Sequence, residues 1–202
     1  MPTTFDAEAA TWDEEPRRQA MAADIVAAII RRVPLAAGQR LLDVGCGTGL
    51  IGLSLAGITR SALGVDLSAG MVARFTAKAE ASRQPGVRAE VRDLIAAPLP
   101  AASIDVAVSA MAFHHIEMID PMLRAIAACL TPGGWVAIAD LETEDGSFHD
   151  VPVPHHGFDP EAFLVRMAAA GLTPVSQERV HVMRKPPAGR EYPISLAVAR
   201  KP

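Results

Sequence analysis

The sequence predicts an α/β fold in which an open, mostly parallel sheet carries helices on both faces. Three observations lead there. Short apolar runs alternate with segments of helical spacing, the first run opens into a loop with glycine on alternate positions, and the last two apolar runs read as an antiparallel pair.

The elements follow in order. Residues 16–33, "PRRQAMAADIVAAIIRRV", come after acidic residues, begin with Pro16 and carry apolar residues at helical spacing, so a helix precedes any strand. "QRLLDVG" reads as a buried strand, "TGLIGLSLAGI" as a helix and "SALGVDLS" as a second strand. Ser68 caps a helix over "AGMVARFTAKAEAS", and "VRAEVRDL" is the third strand. A fourth strand, "IDVAVSAM", leads through "AFHHIEM" to Asp120 and Pro121, a cap and first position opening a helix that ends before "TPGG". "WVAIADL" is the fifth strand. Asp159 and Pro160 begin another helix, Gly171 ends it, and "PVSQERVHVMRK" and "EYPISLAVARK" close the chain. Nothing repeats internally. Residues 142–158, rich in Pro, His and acids, form the one long irregular stretch.

Half of the 202 residues are hydrophobic, enough for one domain with a sizeable core. A net charge of -4 offers no broad positive field, which disfavours nucleic acid as a partner. Cys46 and Cys129 form no C-x-x-C pair and suit a reducing compartment. No secretion signal is recognised at the N-terminus, and no apolar run reaches the roughly 18 residues of a membrane span. A cytoplasmic protein is expected, and the abundance of Ala and Arg hints at a bacterial genome rich in GC.

The chemistry concentrates in "LLDVGCGTGL", residues 41–50. An open α/β sheet binds ligands beyond the carboxyl ends of its strands, where strand order reverses. Gly45, Gly47 and Gly49 let backbone approach a ligand and turn sharply. Gly47, Gly49 and Gly52 also make a formal G-x-G-x-x-G, so a dinucleotide is the competing ligand. A pyrophosphate wants no anion nearby, yet Asp43 stands just before the loop. S-adenosylmethionine fits better, because it lacks phosphate and its sulfonium and ammonium outweigh one carboxylate. Asp66, ending the second strand, is placed to accept from both ribose hydroxyls, and Asp93, ending the third, from the adenine amine. Leu67 and Met71 are candidates for the adenine face, with Cys46, Leu94 and Ala110 as further cofactor neighbours.

These stretches carry a resemblance. "LLDVGCGTG", "GVDLS", "VRDL", "IDVAVSAMAFHHI" and "LTPGGWVAIAD" resemble the successive motifs of class I S-adenosylmethionine-dependent methyltransferases, over roughly residues 5 to 200. The opening "FDAEAATWDEEPRRQAMA" resembles small-molecule members, including the quinone-biosynthesis C-methyltransferase type and the group known as methyltransferase type 11. The resemblance implies a Rossmann-like, doubly wound sheet of seven strands with one antiparallel strand. It also implies S-adenosyl-L-homocysteine as product, and an N-terminal segment that lies over the site as a lid. The chain then divides into a lid segment over 1–36, a cofactor-binding core over 37–141 and an acceptor side over 142–202, all within one domain.

In-line methyl transfer needs alignment and exclusion of water more than a fixed triad. Where the acceptor must lose a proton, His114 and His115 beyond the fourth strand are the candidate bases. Phe5 and Trp12 are candidate lid residues, and His155 and His156 candidate acceptor-side residues. With His149 they lie near Asp150, but their spacing matches no zinc pattern, so no metal is expected and these histidines read as solvated. The fourth-strand segment lacks the Asn/Asp-Pro-Pro motif of nucleic-acid amino-methylating enzymes, and no Pro-Cys pair offers a cytosine nucleophile, so a small-molecule acceptor is expected. A cofactor-binding protein without turnover is the second reading, and an NAD-dependent oxidoreductase the third. Monomer and homodimer stay equally open.

Overall fold

The computed structural model describes residues 4–185 and 189–202. A short helix α1 (Thr4–Glu8) and a 3₁₀ turn over 12–14 precede α2 (Pro16–Arg32). Pro16 occupies the first turn of α2, where its missing N–H costs nothing, and the Glu15 carboxylate accepts from the N–H of Arg17. The buried stripe Met21, Ala22, Ile25, Ala28 and Ile29 then faces the sheet.

Beyond α2 the strands and helices alternate: β1 (Arg40–Val44), α3 (Gly52–Ala56), β2 (Ser61–Asp66), α4 (Ala69–Ser82), β3 (Val87–Val91), β4 (Ile104–Ala110), α5 (Ile119–Cys129), β5 (Leu130–Leu141), α6 (Pro160–Ala169), β6 (Thr173–Lys185) and β7 (Arg190–Arg200). The seven strands make one sheet in the order β3-β2-β1-β4-β5-β7-β6. All neighbours pair in parallel except β7, which runs antiparallel between β5 and β6. The expected Rossmann-like sheet with one inverted strand is therefore present.

Alternate strand positions feed two cores. Leu41, Ala62, Val106, Val108, Ala137 and Val198 meet α2 and α3, while Leu42, Leu63, Ala107, Val136, Ile138 and Ala199 meet α5 and α6 on the opposite face. Helix α4 packs along β2 and β3, with Phe75 fully buried. Ser68 caps α4 as the sequence implies, accepting from the N–H of Met71 at 3.1 Å. Asp159 caps α6, and Gly171, at φ +87°, turns the chain out of it.

Three boundaries differ from the sequence reading. The helix expected over 48–58 is only five residues long, because the Asp43 carboxylate captures the N–H of Gly52 at 2.9 Å and holds the preceding residues as a turn. Asp120 does not cap α5. The carbonyl of Met118 accepts from Met122 instead, the helix starts at Ile119, and Asp120 pairs with Arg166 at 3.5 Å. Residues 131–134, "TPGG", bulge within β5: Leu130 pairs with Ile104, and the ladder resumes at Trp135 opposite Val106.

Candidate functional site

Strands β1 and β4 lie side by side, but the chain leaves them in opposite directions, toward β2 and toward β5. Their carboxyl ends therefore diverge and leave a crevice. The crevice is a cleft of about 730 Å³, lined by residues 43–48, by Asp66, Leu67, Ser68 and Met71, by Asp93 and Leu94, and by residues 110–112 and 115–118. A space of that size suits a cofactor together with a small second molecule.

The glycines divide their tasks. Gly45, at φ +67°, faces Ala112, and any Cβ there would collide with the Ala112 methyl. Gly47 opens onto empty space and donates its N–H to Asp66 Oδ2 at 2.8 Å. Gly49 does not line the cleft; its missing side chain leaves room for Phe75 and Leu53 beneath the loop. Asp66 also accepts from the Ser68 N–H at 2.9 Å through Oδ1. Each of its oxygens retains a lone pair for a further donor. Asp43 is buried with Gly52 as its donor, and that burial, together with the neighbouring Asp66 charge, lifts its carboxyl to about 7. Asp93 is exposed at the rim, where Oδ1 accepts from Ile95 and Ala96. Leu67 is exposed in the cleft while Met71 and Leu94 are buried in its wall, and Ala110 adds backbone at the end of β4. Cys46 is buried beside them, and burial raises its thiol far above the ordinary range.

The N-terminal segment is fastened across this loop by two acids. Asp6 Oδ1 accepts from the Ser68 hydroxyl at 2.6 Å and the Gly70 N–H at 2.8 Å. Asp13 accepts from the Thr48 hydroxyl at 2.5 Å and pairs with Lys78 at 2.8 Å. These anchors hold Phe5 and Trp12 in the cleft wall, ring edge to ring face at 5.8 Å, with Phe5 also edge-on to His115 at 5.0 Å.

The two histidines beyond β4 part company. His115 lines the cleft, and burial chiefly, with His114 and His149 beside it, lowers its imidazole to about 3. His114 lies beneath, 1% exposed, with Nδ1 2.6 Å from Asp140 Oδ1. Asp140 in turn accepts the N–H groups of Phe113 and Leu141 at 2.8 and 2.7 Å. The three loop histidines go separate ways. His155 reaches the Ile116 carbonyl at 3.0 Å, exposed His156 stands 3.5 Å from Glu144, and neither lines the cleft. His149 leaves both and packs half-buried against His114 and His115, at centroid distances of 4.8 and 5.0 Å. The solvated reading thus fails for His149, because the loop folds back over the carboxyl end of β5.

Asp140, Asp6, Asp13, Thr48 and Met111 escaped the sequence reading. Asp140 ends a strand as Asp43 and Asp66 do, so the rule that found those acids also reaches it in "WVAIADL". Asp6 and Asp13 carry no such signal.

The cleft favours a cationic adenosyl ligand over a pyrophosphate. Four acids line it, Asp43, Asp66, Asp93 and Glu117, and the two arginines that reach it, Arg18 and Arg92, pair with Glu8 and Glu90. Fold and site together define a Rossmann-like domain of the S-adenosylmethionine-binding kind. Residues 41–134 match the family described as "Methyltransferase domain". The 27-O-demethylrifamycin SV methyltransferase of Amycolatopsis mediterranei is 32% identical over 173 residues, which are 85% of this chain and 58% of that protein. Among solved structures, an S-adenosylmethionine-dependent methyltransferase from Aquifex aeolicus has a TM-score of 0.75 at 18% identity, covering 96% of this chain and 97% of that one. The [4+2]-cyclase SpnF has the same TM-score at 21% identity, over 89% and 81%. The chain belongs to the class I S-adenosylmethionine-dependent methyltransferases, whose cofactor is S-adenosylmethionine. It spans a little over half the length of the first curated relatives it matches. No helix among the described residues is long and apolar enough to cross a membrane.

Proposed function

We propose that the protein methylates a small-molecule acceptor by direct in-line transfer from S-adenosylmethionine. One observation carries the reading: carboxylates from three successive strand ends, Asp43, Asp66 and Asp93, line a single cleft at the reversal of strand order. When bound, the cofactor supplies an electrophilic methyl group on a sulfonium. The chain has to hold it, orient an acceptor and exclude water. Asp66 holds the ribose hydroxyls with the lone pairs left free by Gly47 and Ser68. Asp93 receives the adenine amine at the rim. Leu67 and Met71 cover the ring, and Asp43 balances the positive charge near the glycine loop.

His115 is the imidazole at the acceptor side of the cleft, and His114, itself held by Asp140, packs against its ring from below. Phe5 and Trp12 keep water away. On this reading 1–36 is the lid segment, in which α2 packs on the sheet and the part before it covers the cleft. Residues 37–141 are the cofactor core and 142–202 the acceptor side of one domain, with His155 and His156 in the segment beside the site; residues 1–3 and 186–188 of these ranges lie outside the described residues. A small, partly apolar acceptor suits the aromatic and methionine lining, and the acidic site does not suit nucleic acid. Two free, buried cysteines suit a cytoplasmic setting.

The test is to incubate the protein and a cell extract with radiolabelled cofactor. Labelled small metabolites support transfer. Tight cofactor binding with no product under varied conditions favours the second reading, binding without turnover. Competitive calorimetry with NAD and S-adenosylhomocysteine separates the oxidoreductase reading from both.

A further inference from the structure

Three imidazoles meet beside the cleft and leave nitrogens unused. One ligand nitrogen each from His114, His115 and His149 lies within 4.8 Å of the others. His114 has its Nδ1 committed to Asp140, so Nε2 is the nitrogen it presents to the cluster. That Nε2 is buried and has no hydrogen-bond partner among the described residues. The Nε2 of His149 is likewise buried and unpartnered. A buried polar nitrogen left without a partner is costly, and two of them in one cluster of rings call for a common ligand.

We propose that His114, His115 and His149 form a three-imidazole site for a divalent first-row transition ion of the zinc kind. A carboxylate that accepts from the far nitrogen of a histidine fixes its tautomer and turns the other nitrogen outward, as metal-binding histidines require, and Asp140 does this for His114. Asp140 is itself held by the N–H groups of Phe113 and Leu141, so the orientation is built into the end of β5. Three neutral nitrogens without a thiolate suit zinc and its neighbours in the first row, and three protein ligands leave a position open for water or an acceptor atom. The surroundings are apolar: Phe148 stands edge-on to His149 at 4.8 Å and Phe5 edge-on to His115 at 5.0 Å.

Bonds of about 2.1 Å place tetrahedral ligand nitrogens roughly 3.4 Å apart, so the rings close inward slightly around an ion. His149 makes that adjustment most easily, because it sits in the connection over 142–158 and not in a strand or helix. His115 also lines the cleft, which gives the ion's open side access to the acceptor. The site stands on its own residues, and only its use by an acceptor rests on the methyl-transfer reading. There, an ion would lower the pKa of a coordinated hydroxyl or thiol, with His115 acting as ligand instead of free base.

Metal binding by the full chain decides the matter independently of turnover. Chelator-treated protein is titrated with Zn²⁺ by calorimetry and with Co²⁺ by visible absorption. One ion per chain, with intense d–d bands of a four-coordinate site, is the expected result. His149→Gln and His115→Gln should each weaken binding at least roughly tenfold, and Asp140→Asn by about 10- to 100-fold. His149→Gln keeps S-adenosylhomocysteine affinity, since His149 does not line the cleft, and so reports an intact fold. Absence of stoichiometric binding overturns the site. So does binding that persists unchanged in both His→Gln variants, which places the ion elsewhere.

Discussion

Asp66 is where a single side chain does most. Its two oxygens already order the glycine loop and the start of α4, so on the proposed reading a ligand's hydroxyls would meet acceptors that need no rearrangement. Asp66→Ala should weaken S-adenosylhomocysteine binding by roughly 2 to 4 kcal/mol, from loss of charge-assisted bonds. Calorimetry that returns an unchanged dissociation constant would remove Asp66 from the site. Asp43 offers a second handle. With its carboxyl at about 7, a nearby cation favours the ionised form and lowers that value, so cofactor binding close to neutrality releases a proton. Affinity for S-adenosylmethionine should therefore rise with pH through about 7, and the binding enthalpy should differ between buffers of different ionisation enthalpy. Equal enthalpies in such buffers would separate Asp43 from the bound charge.

At the scale of elements, the N-terminal segment behaves as a strap. Its polar anchors on the body are few, Asp6 on the α4 cap and Asp13 on Thr48 and Lys78, and Phe5 adds a ring contact with His115. Asp13→Ala frees both partners and should speed cofactor release while leaving the melting temperature nearly unchanged, since the strap contributes little to the cores. Stopped-flow release kinetics beside a thermal melt would show it, and identical release rates would count against the strap. Ser68→Ala acts differently. It removes the α4 cap together with a strap anchor, and a stability loss of about 1 kcal/mol is expected in chemical denaturation.

For the molecule as a whole, two buried or half-buried acids set opposed pH dependences. Hydrogen bonds from Arg40 hold the Asp105 carboxyl down at about 2, so the stability it contributes is present above the unfolded pKa of about 4 and is lost as pH falls toward 2. Asp43 works the other way. The folded state keeps its proton up to about 7, so its contribution favours folding at low pH and diminishes as pH rises from about 4 to 7. Denaturation series should show Asp105→Asn flattening the acid window and Asp43→Asn flattening the upper one. Coincident wild-type and variant curves in either window would refute that assignment.

Much of this architecture was legible in the residues themselves. Buried strands are nearly continuous apolar runs, caps such as Ser68 and Asp159 announce helix starts through their own side chains, and strand-end acids stand out against those runs. Those signals are local, which is why the alternating sheet, the closing antiparallel pair and the acid-glycine loop could be read directly, whereas the count of seven strands with one inverted came from the family resemblance. The short α3, the start of α5 at Ile119 and the inward turn of His149 were not legible, because each depends on a partner distant in sequence or on a backbone carbonyl that any residue supplies. Asp43 reaches nine residues ahead to end a turn, and Asp140 fixes His114 from twenty-six residues away. The sequence by itself determined which acids and glycines stand at the strand ends. Only the tertiary structure decided which histidine faces the cleft, which lies buried, and which third one joins them, since a side chain's role follows from the space left when the sheet closes.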